Sequence, residues 1–109
     1  MSTPSADAPL LAEMVKRLVA VYHPESIYLF GSAARGNAGP DSDFDIMVVV
    51  PDEASADRLD CGLGYRALRG LGVAKDLLVW RRSDFNRRLH LKASLPSTIV
   101  SEGKLLYGV

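Results

Sequence analysis

Three carboxylates lie in apolar stretches where a charge is costly. Asp43 and Asp45 flank Phe44 at the start of the run Ile46-Met47-Val48-Val49-Val50, and Asp76 lies within Val73-Ala74-Lys75-Asp76-Leu77-Leu78-Val79-Trp80. On a strand, residues i and i+2 share a face with Cα atoms about 6.6 Å apart. Two anions held together at the rim of an apolar core repel each other and lose hydration, so both stay ionised only when a cation joins them. A divalent metal suits that place, because Mg²⁺ takes oxygen ligands, commonly one or two carboxylates together with substrate phosphates. If the strand of Asp76 neighbours the strand of Asp43, three carboxylates meet and can ligate two metal ions about 3.5–4 Å apart. The spacing alone also fits a turn residue at Asp43, a hydrogen-bonded Asp45, and an Asp76 paired with Lys75 or Arg35.

Gly31-Ser32 follows the short apolar run Ile27-Tyr28-Leu29-Phe30 and opens a possible helical turn. Backbone N–H groups at such a turn favour phosphate, and glycine lets the backbone approach an anion closely. The Ser32 hydroxyl can donate to a phosphate oxygen, and Arg35, one turn on, can neutralise further charge. A plain strand-to-helix turn with a serine cap has the same residues.

These residues need elements to hold them. Residues 10–22 place Leu10, Leu11, Met14, Val15, Leu18, Val19 and Tyr22 on one face, which predicts an amphipathic helix stopped by Pro24. Residues 26–30 read as a strand ended by Gly31, and 37–42 as a loop. Residues 43–50 are the strongest strand; apolar on both faces beyond the acids, they predict a central strand covered on both sides. Residues 54–71 suggest a helix made irregular by Gly62, Gly64 and Gly70. A third strand is expected at 73–80, and a helix from Ser83 or Asp84 to about residue 93. A second short helix opens at Leu95-Pro96 and ends at Gly103, and a last strand spans 104–107. The order α-β-β-α-β-α-α-β predicts an α/β (α+β) fold, a small mixed β-sheet with helices packed on it.

The chain has 109 residues, 48% of them hydrophobic, and a net charge of zero. That balance argues against a strongly basic nucleic-acid binder, so direct nucleic-acid binding is not expected. It hides an asymmetry. Residues 1–60 hold ten acids and four bases, and residues 61–109 hold three acids and nine bases. Such a split suits a carboxylate cluster beside a cationic surface, and equally suits solvated charges that merely fell that way. The stretch Arg81, Arg82, Arg87, Arg88 and Lys92 is a solvated helix face or a docking surface. The single cysteine, Cys61, excludes an internal disulfide framework. No apolar run approaches the length of a membrane span, and residues 1–7 lack the features of a signal peptide. The expectation is a soluble cytoplasmic protein with a disordered tail at 1–8 and a single domain at 9–109.

Gly31-Ser32, a gap of ten residues, and Asp43-Phe44-Asp45 resemble the signature of the polymerase-beta-type nucleotidyltransferase superfamily. The fuller string Gly31-Ser32-Ala33-Ala34-Arg35-Gly36 with Ser42-Asp43-Phe44-Asp45-Ile46 is similar to its smallest members, the minimal nucleotidyltransferases. The ending Glu102-Gly103-Lys104-Leu105-Leu106-Tyr107-Gly108 is similar to theirs as well. The resemblance implies that Asp43 and Asp45 hold two Mg²⁺ ions and that Gly31 and Ser32 bind the phosphates of a nucleoside triphosphate. It implies that Asp76 ligates one metal and orients or deprotonates the acceptor hydroxyl, and that Arg35 contacts phosphate. One departure is Asn37-Ala38-Gly39-Pro40, where relatives often carry more basic residues. Larger members add domains that grip their acceptors, and a chain of this length has no room for one. Minimal nucleotidyltransferases partner small helical proteins with a higher-eukaryote-and-prokaryote nucleotide-binding (HEPN) domain. In such pairs the HEPN protein is the toxin, and the nucleotidyltransferase is the antitoxin that transfers AMP from ATP to a toxin tyrosine. The alternatives are a non-catalytic module that neutralises its partner by contact, and an adenylyltransferase acting on a small molecule of the aminoglycoside type.

Overall fold

In the computed structural model, residues 8–31, 44–72 and 75–108 are described. Helix α1 (Ala8–Tyr22) leads to strand β1 (Ser26–Phe30). His23, at a φ of 47°, turns the chain out of the helix, its N–H still bonded to the Val19 carbonyl at 3.0 Å. Pro24 then bars helical continuation. Strand β2 (Phe44–Val50) is followed by a 3-10 turn (Ala56–Leu59), helix α2 (Cys61–Ala67) and strand β3 (Lys75–Arg81). Helices α3 (Arg82–Arg87) and α4 (Leu95–Glu102) precede strand β4 (Lys104–Gly108).

The four strands form one mixed sheet in the order β3-β2-β1-β4, with β2 antiparallel to β1 and parallel to β3. β1 also pairs antiparallel with β4 through a register shift at Ile27/Tyr28. The apolar composition of β2 is explained by its position, since it has a strand on either side and a layer on either face. Phe44, Ile46, Val48 and Val50 pack with Met14, Leu18 and Tyr22 of α1, while Met47 and Val49 pack with Phe85 of α3 and Ile99 of α4. Among the described residues, no helix is long and apolar enough to cross a membrane.

Two expected helices are shorter than the sequence suggests. The segment 54–71 splits into the 3-10 turn and the seven-residue α2, whose N-cap is Asp60, its carboxylate accepting from the Gly62 N–H at 2.9 Å. The helix expected to reach residue 93 ends at Arg87, and its first turn is capped from outside. The Ser83 N–H donates to Asp52 Oδ1 at 2.8 Å, and this bond, with one from the Ser83 side chain, holds the Asp52 carboxyl below the usual carboxylate range.

The glycines of α2 are explained by packing. Gly64 lies so close beneath α1 that an added Cβ would stand 2.5 Å from Leu77 Cδ1 and 3.0 Å from Tyr22 Oη. The fully buried Tyr22 hydroxyl accepts from the Gly64 N–H at 2.9 Å and donates to the Asp60 carbonyl at 2.7 Å. One phenol thus satisfies two backbone groups at the start of α2 and ties the crossover helix to α1. Farther along, the Tyr65 hydroxyl accepts from the Leu77 N–H at 3.1 Å, and the Cys61 thiol donates to the Leu77 carbonyl at 3.4 Å. Helix α2 therefore grips the outer edge of β3 one residue beyond Asp76.

Burial pushes the Tyr22 phenol up to about 12, against about 10 in the unfolded chain. Below pH 10 the phenol is neutral in both states and its contribution is complete; from there the unfolded chain loses the proton first, so stability falls as pH rises through about 12. Tyr22→Phe leaves the Asp60 carbonyl and the buried Gly64 N–H without this partner. Urea denaturation at neutral pH should show a loss of about 1–3 kcal/mol. Repeated at alkaline pH, the variant should show a shallower decline than the parent chain.

Candidate functional site

The site starts from strand register. In the parallel pair β2–β3, Asp45 is the direct partner of Asp76 and Ile46 of Leu77. Adjacent strands lie about 4.8 Å apart and register partners project from the same face, so the two carboxylates stand side by side. Alternation along β2 puts Asp45 on the face of Met47 and Val49, the one covered by α3 and α4. Across the antiparallel pair, Asp45 is opposite Phe30.

Gly31, directly after Phe30, completes the arrangement. Its φ of +76° lies in the left-handed region. A Cβ built there would lie 3.2 Å from Asp45 Cγ and would overlap Oδ2. Only a residue without a side chain lets the backbone after β1 lie against that carboxylate. This close approach is the physical reason for a glycine four residues after the buried Ile27.

Burial departs from expectation at one carboxylate. Asp76 is exposed and Asp45 is half-buried, so Asp76 does not share the desolvation of a core strand position. The cause is topological. β3 lies at the sheet edge and buries only Leu77 and Val79, whereas β2 buries every residue but Asp45. Like charges at register partners repel by on the order of 1–3 kcal/mol in the dielectric near a surface. That cost falls when a cation stands between them, and their oxygens are the hard donors that Mg²⁺ selects.

Ser32, Arg35 and Asp43 lie outside the described residues. The structure therefore brings together Gly31, Asp45 and Asp76 of the sequence-predicted set. Among the described residues, no three His, Cys, Asp or Glu side chains gather as a metal-holding group. Tyr65 and Cys61 fix Leu77 beside Asp76; the sequence did not single out Tyr65, and it marked Cys61 only as the single cysteine. The basic segment is partly tied down, since Arg82 donates to Glu25 Oε1 at 2.9 Å and to Ser26 Oγ at 2.6 Å, and Arg87 pairs with Asp84 at 3.3 Å. His90 is exposed, and Phe85 is buried core that stacks on Tyr28 with ring centroids 5.6 Å apart.

Solved structures share this fold. A candidate nucleotidyltransferase from Sulfolobus solfataricus is 24% identical with a TM-score of 0.60, the match covering 91% of this chain and 78% of that one. An MntA–HepT toxin–antitoxin, in a mutant with two aspartate-to-glutamate changes, is also 24% identical at a TM-score of 0.60, covering 91% of this chain and 73% of the other. A toxin–antitoxin solved with AMP-PNP is 27% identical at a TM-score of 0.60, covering 88% and 72%. No curated protein sequence matches the chain. The nucleotidyltransferase domain model matches residues 10–106, which includes every strand but the last two residues of β4. By that match, which takes in Gly31, Asp45 and Asp76, the chain belongs to the nucleotidyltransferase domain family.

Proposed function

We propose that this nucleotidyltransferase is a Mg²⁺-dependent adenylyltransferase that acts as an antitoxin, transferring AMP from ATP to a hydroxyl, a tyrosine in our reading, of a helical HEPN-domain toxin. The observation that carries the chemistry is the register pairing of Asp45 with Asp76 beside the close backbone approach of Gly31. The antitoxin reading draws on the sequence resemblance and on two toxin–antitoxin structures of the same fold, one of them solved with an ATP analogue. The mutant in the other carries its aspartate changes two positions apart, the spacing of Asp43 and Asp45 here.

The donor set fits the metal, since register-paired carboxylates offer hard oxygen ligands and Gly31 brings the backbone against one of them. Asp43, Asp45 and Asp76 would hold two Mg²⁺ ions. When bound, these ions lower the pKa of the acceptor hydroxyl and neutralise charge on the departing oxygens. The backbone at Gly31, with Ser32 and Arg35, binds and orients the triphosphate. Asp76, exposed at the sheet edge, is accessible to an acceptor and takes its hydroxyl proton. The acceptor oxygen forms a bond to the α-phosphorus, the bond from that phosphorus to the bridging oxygen breaks in line, and pyrophosphate leaves. The protein's contribution is chiefly positioning and preorganised electrostatics.

Incubation with labelled ATP, Mg²⁺ and the protein encoded beside this one should label that protein. Asp76→Asn should slow transfer by about 10²–10⁴-fold, the range for losing a positioned base, and chelation should stop it until Mg²⁺ is restored. Full neutralisation of the partner by Asp43→Ala/Asp45→Ala, without label, would replace this reading with a contact-only binding module. Labelling of an aminoglycoside by the lone protein would point instead to a small-molecule enzyme.

Gly31→Ala tests the phosphate-side geometry separately. It should lower stability by about 1–3 kcal/mol from left-handed strain and overlap with Asp45. In an Asp45→Ala background only the strain remains, so a double-mutant cycle read by urea denaturation should give a coupling of at least about 0.5 kcal/mol.

A further inference from the structure

A cavity of about 310 Å³ opens on the outer edge of β3, lined by Leu59, Val79, Trp80, Arg81, Asp84 and Arg88. Strand chemistry gives this cavity an unusual wall. In a parallel pair, a residue turns its N–H and C=O together toward one neighbour, and the next residue turns both the other way. Leu77 turns its pair away from β2, where Tyr65 and Cys61 meet it. Val79, two residues on, therefore turns its pair outward as well, into the cavity. Among the described residues no hydrogen bond covers the outward N–H and C=O of Val79, although the residue is only 8% exposed.

Three of the other lining residues, Arg81, Asp84 and Arg88, carry charge. The Arg88 guanidinium lies over the Trp80 ring, 5.6 Å from its centroid, and the Arg81 guanidinium is held at the wall by a 3.1 Å bond to the Ala54 carbonyl. The one carboxylate of the lining, Asp84, is taken by Arg87. Two cations thus face a cavity whose acid is already paired, beside a donor–acceptor pair spaced for the N–H and C=O of one extended residue.

We propose that this cavity anchors an extended acidic segment of the acceptor protein, one of its residues bridging to Val79 through its own N–H and C=O and one carboxylate lying between Arg81 and Arg88. The inference rests on reading the acceptor as a protein. Val79 is three residues from Asp76, or about 10 Å along β3. The segment would therefore be held near the reacting carboxylates without covering them. The caps on Leu77 stop it from continuing along the edge toward Asp76, so the bridge is short. A nucleic acid strand fits less well, since the Val79 pair matches the backbone of an extended peptide residue and Arg88 already covers a face of the indole.

The test is a titration of the ¹⁵N-labelled full chain, at about 50 mM salt so that charge contacts are weakly screened, with the peptide Ac-Thr-Val-Asp-Val-Thr-NH₂. The expected result is saturable shifts of the Val79 amide and the Trp80 indole N–H. The counterpart with Asn in place of Asp should bind at least about tenfold more weakly, as should the acidic peptide to Arg88→Gln. Absence of saturable shifts up to about 10 mM peptide, or equal response to both peptides, overturns the proposal. Shifts at the same signals with oligothymidylate but not with the acidic peptide also overturn it and mark a nucleic-acid site. A parallel titration with ATP and Mg²⁺ reads Gly31, Asp45 and Asp76. Peptide binding without a nucleotide response there would therefore keep the cavity and discard the enzymatic reading.

Discussion

Two negative charges set side by side by β-sheet register are the constraint around which this fold is organised. Asp45 and Asp76 belong to segments separated by the 3-10 turn and α2, and only the parallel pairing of β2 with β3 brings them into line. A slip of one residue would turn one carboxylate to the opposite face, toward α1 and α2, and the pair would be lost. Register is protected by the apolar residues that follow each acid. Ile46 with Leu77 and Val48 with Val79 are buried on one face, while Met47 with Leu78 pack on the other.

The crossover that sets this register is fastened by a few polar contacts rather than by helix length. Helix α2 has seven residues and two glycines, too little to stand by itself. The Tyr22 hydroxyl holds its first turn and Gly64 lets it lie against α1. Tyr65 and Cys61 then clamp the edge of β3 at Leu77. These contacts join backbone groups of the crossover to neighbouring elements, which is how a short helix fixes a strand. At the other end of the sheet Gly103 serves closeness again. A Cβ there would stand 2.7 Å from the Leu29 carbonyl, so the turn from α4 into β4 passes directly over β1.

The charge asymmetry acquires a structural sense from the same topology. The acidic half of the sequence supplies Asp45, and the basic half follows β3 into α3. Part of the basic segment is structural, with Arg82 joining Glu25 and Ser26 across the sheet, while Arg81 and Arg88 border the open edge. The paired carboxylates lie on one face of the sheet, and the edge of β3 beyond Leu77 runs on from them toward Arg81.

Much of this was legible in the residues themselves. A strand apolar on both faces had to be central, because only a position between two strands and two layers buries both sides. The motif pairing Gly31-Ser32 with Asp43-Phe44-Asp45 pointed to phosphate and metal chemistry, because those residue types combine backbone approach with hard oxygen donors. Asp76 was read as buried because its neighbours are apolar, but an edge strand exposes positions that a central strand hides. Helix ends at 54–71 and 83–93 were misplaced for a related reason. Their first turns are held by tertiary partners as well as by local caps, Tyr22 at Gly64 and Asp52 at Ser83, and both partners lie far away in sequence. Local chemistry thus offered candidate groups for a site and determined which strand had to lie inside, since both follow from side-chain type and period. Which carboxylate faces which, how exposed each is, and what covers the edge of β3 were decided by packing at long sequence separation.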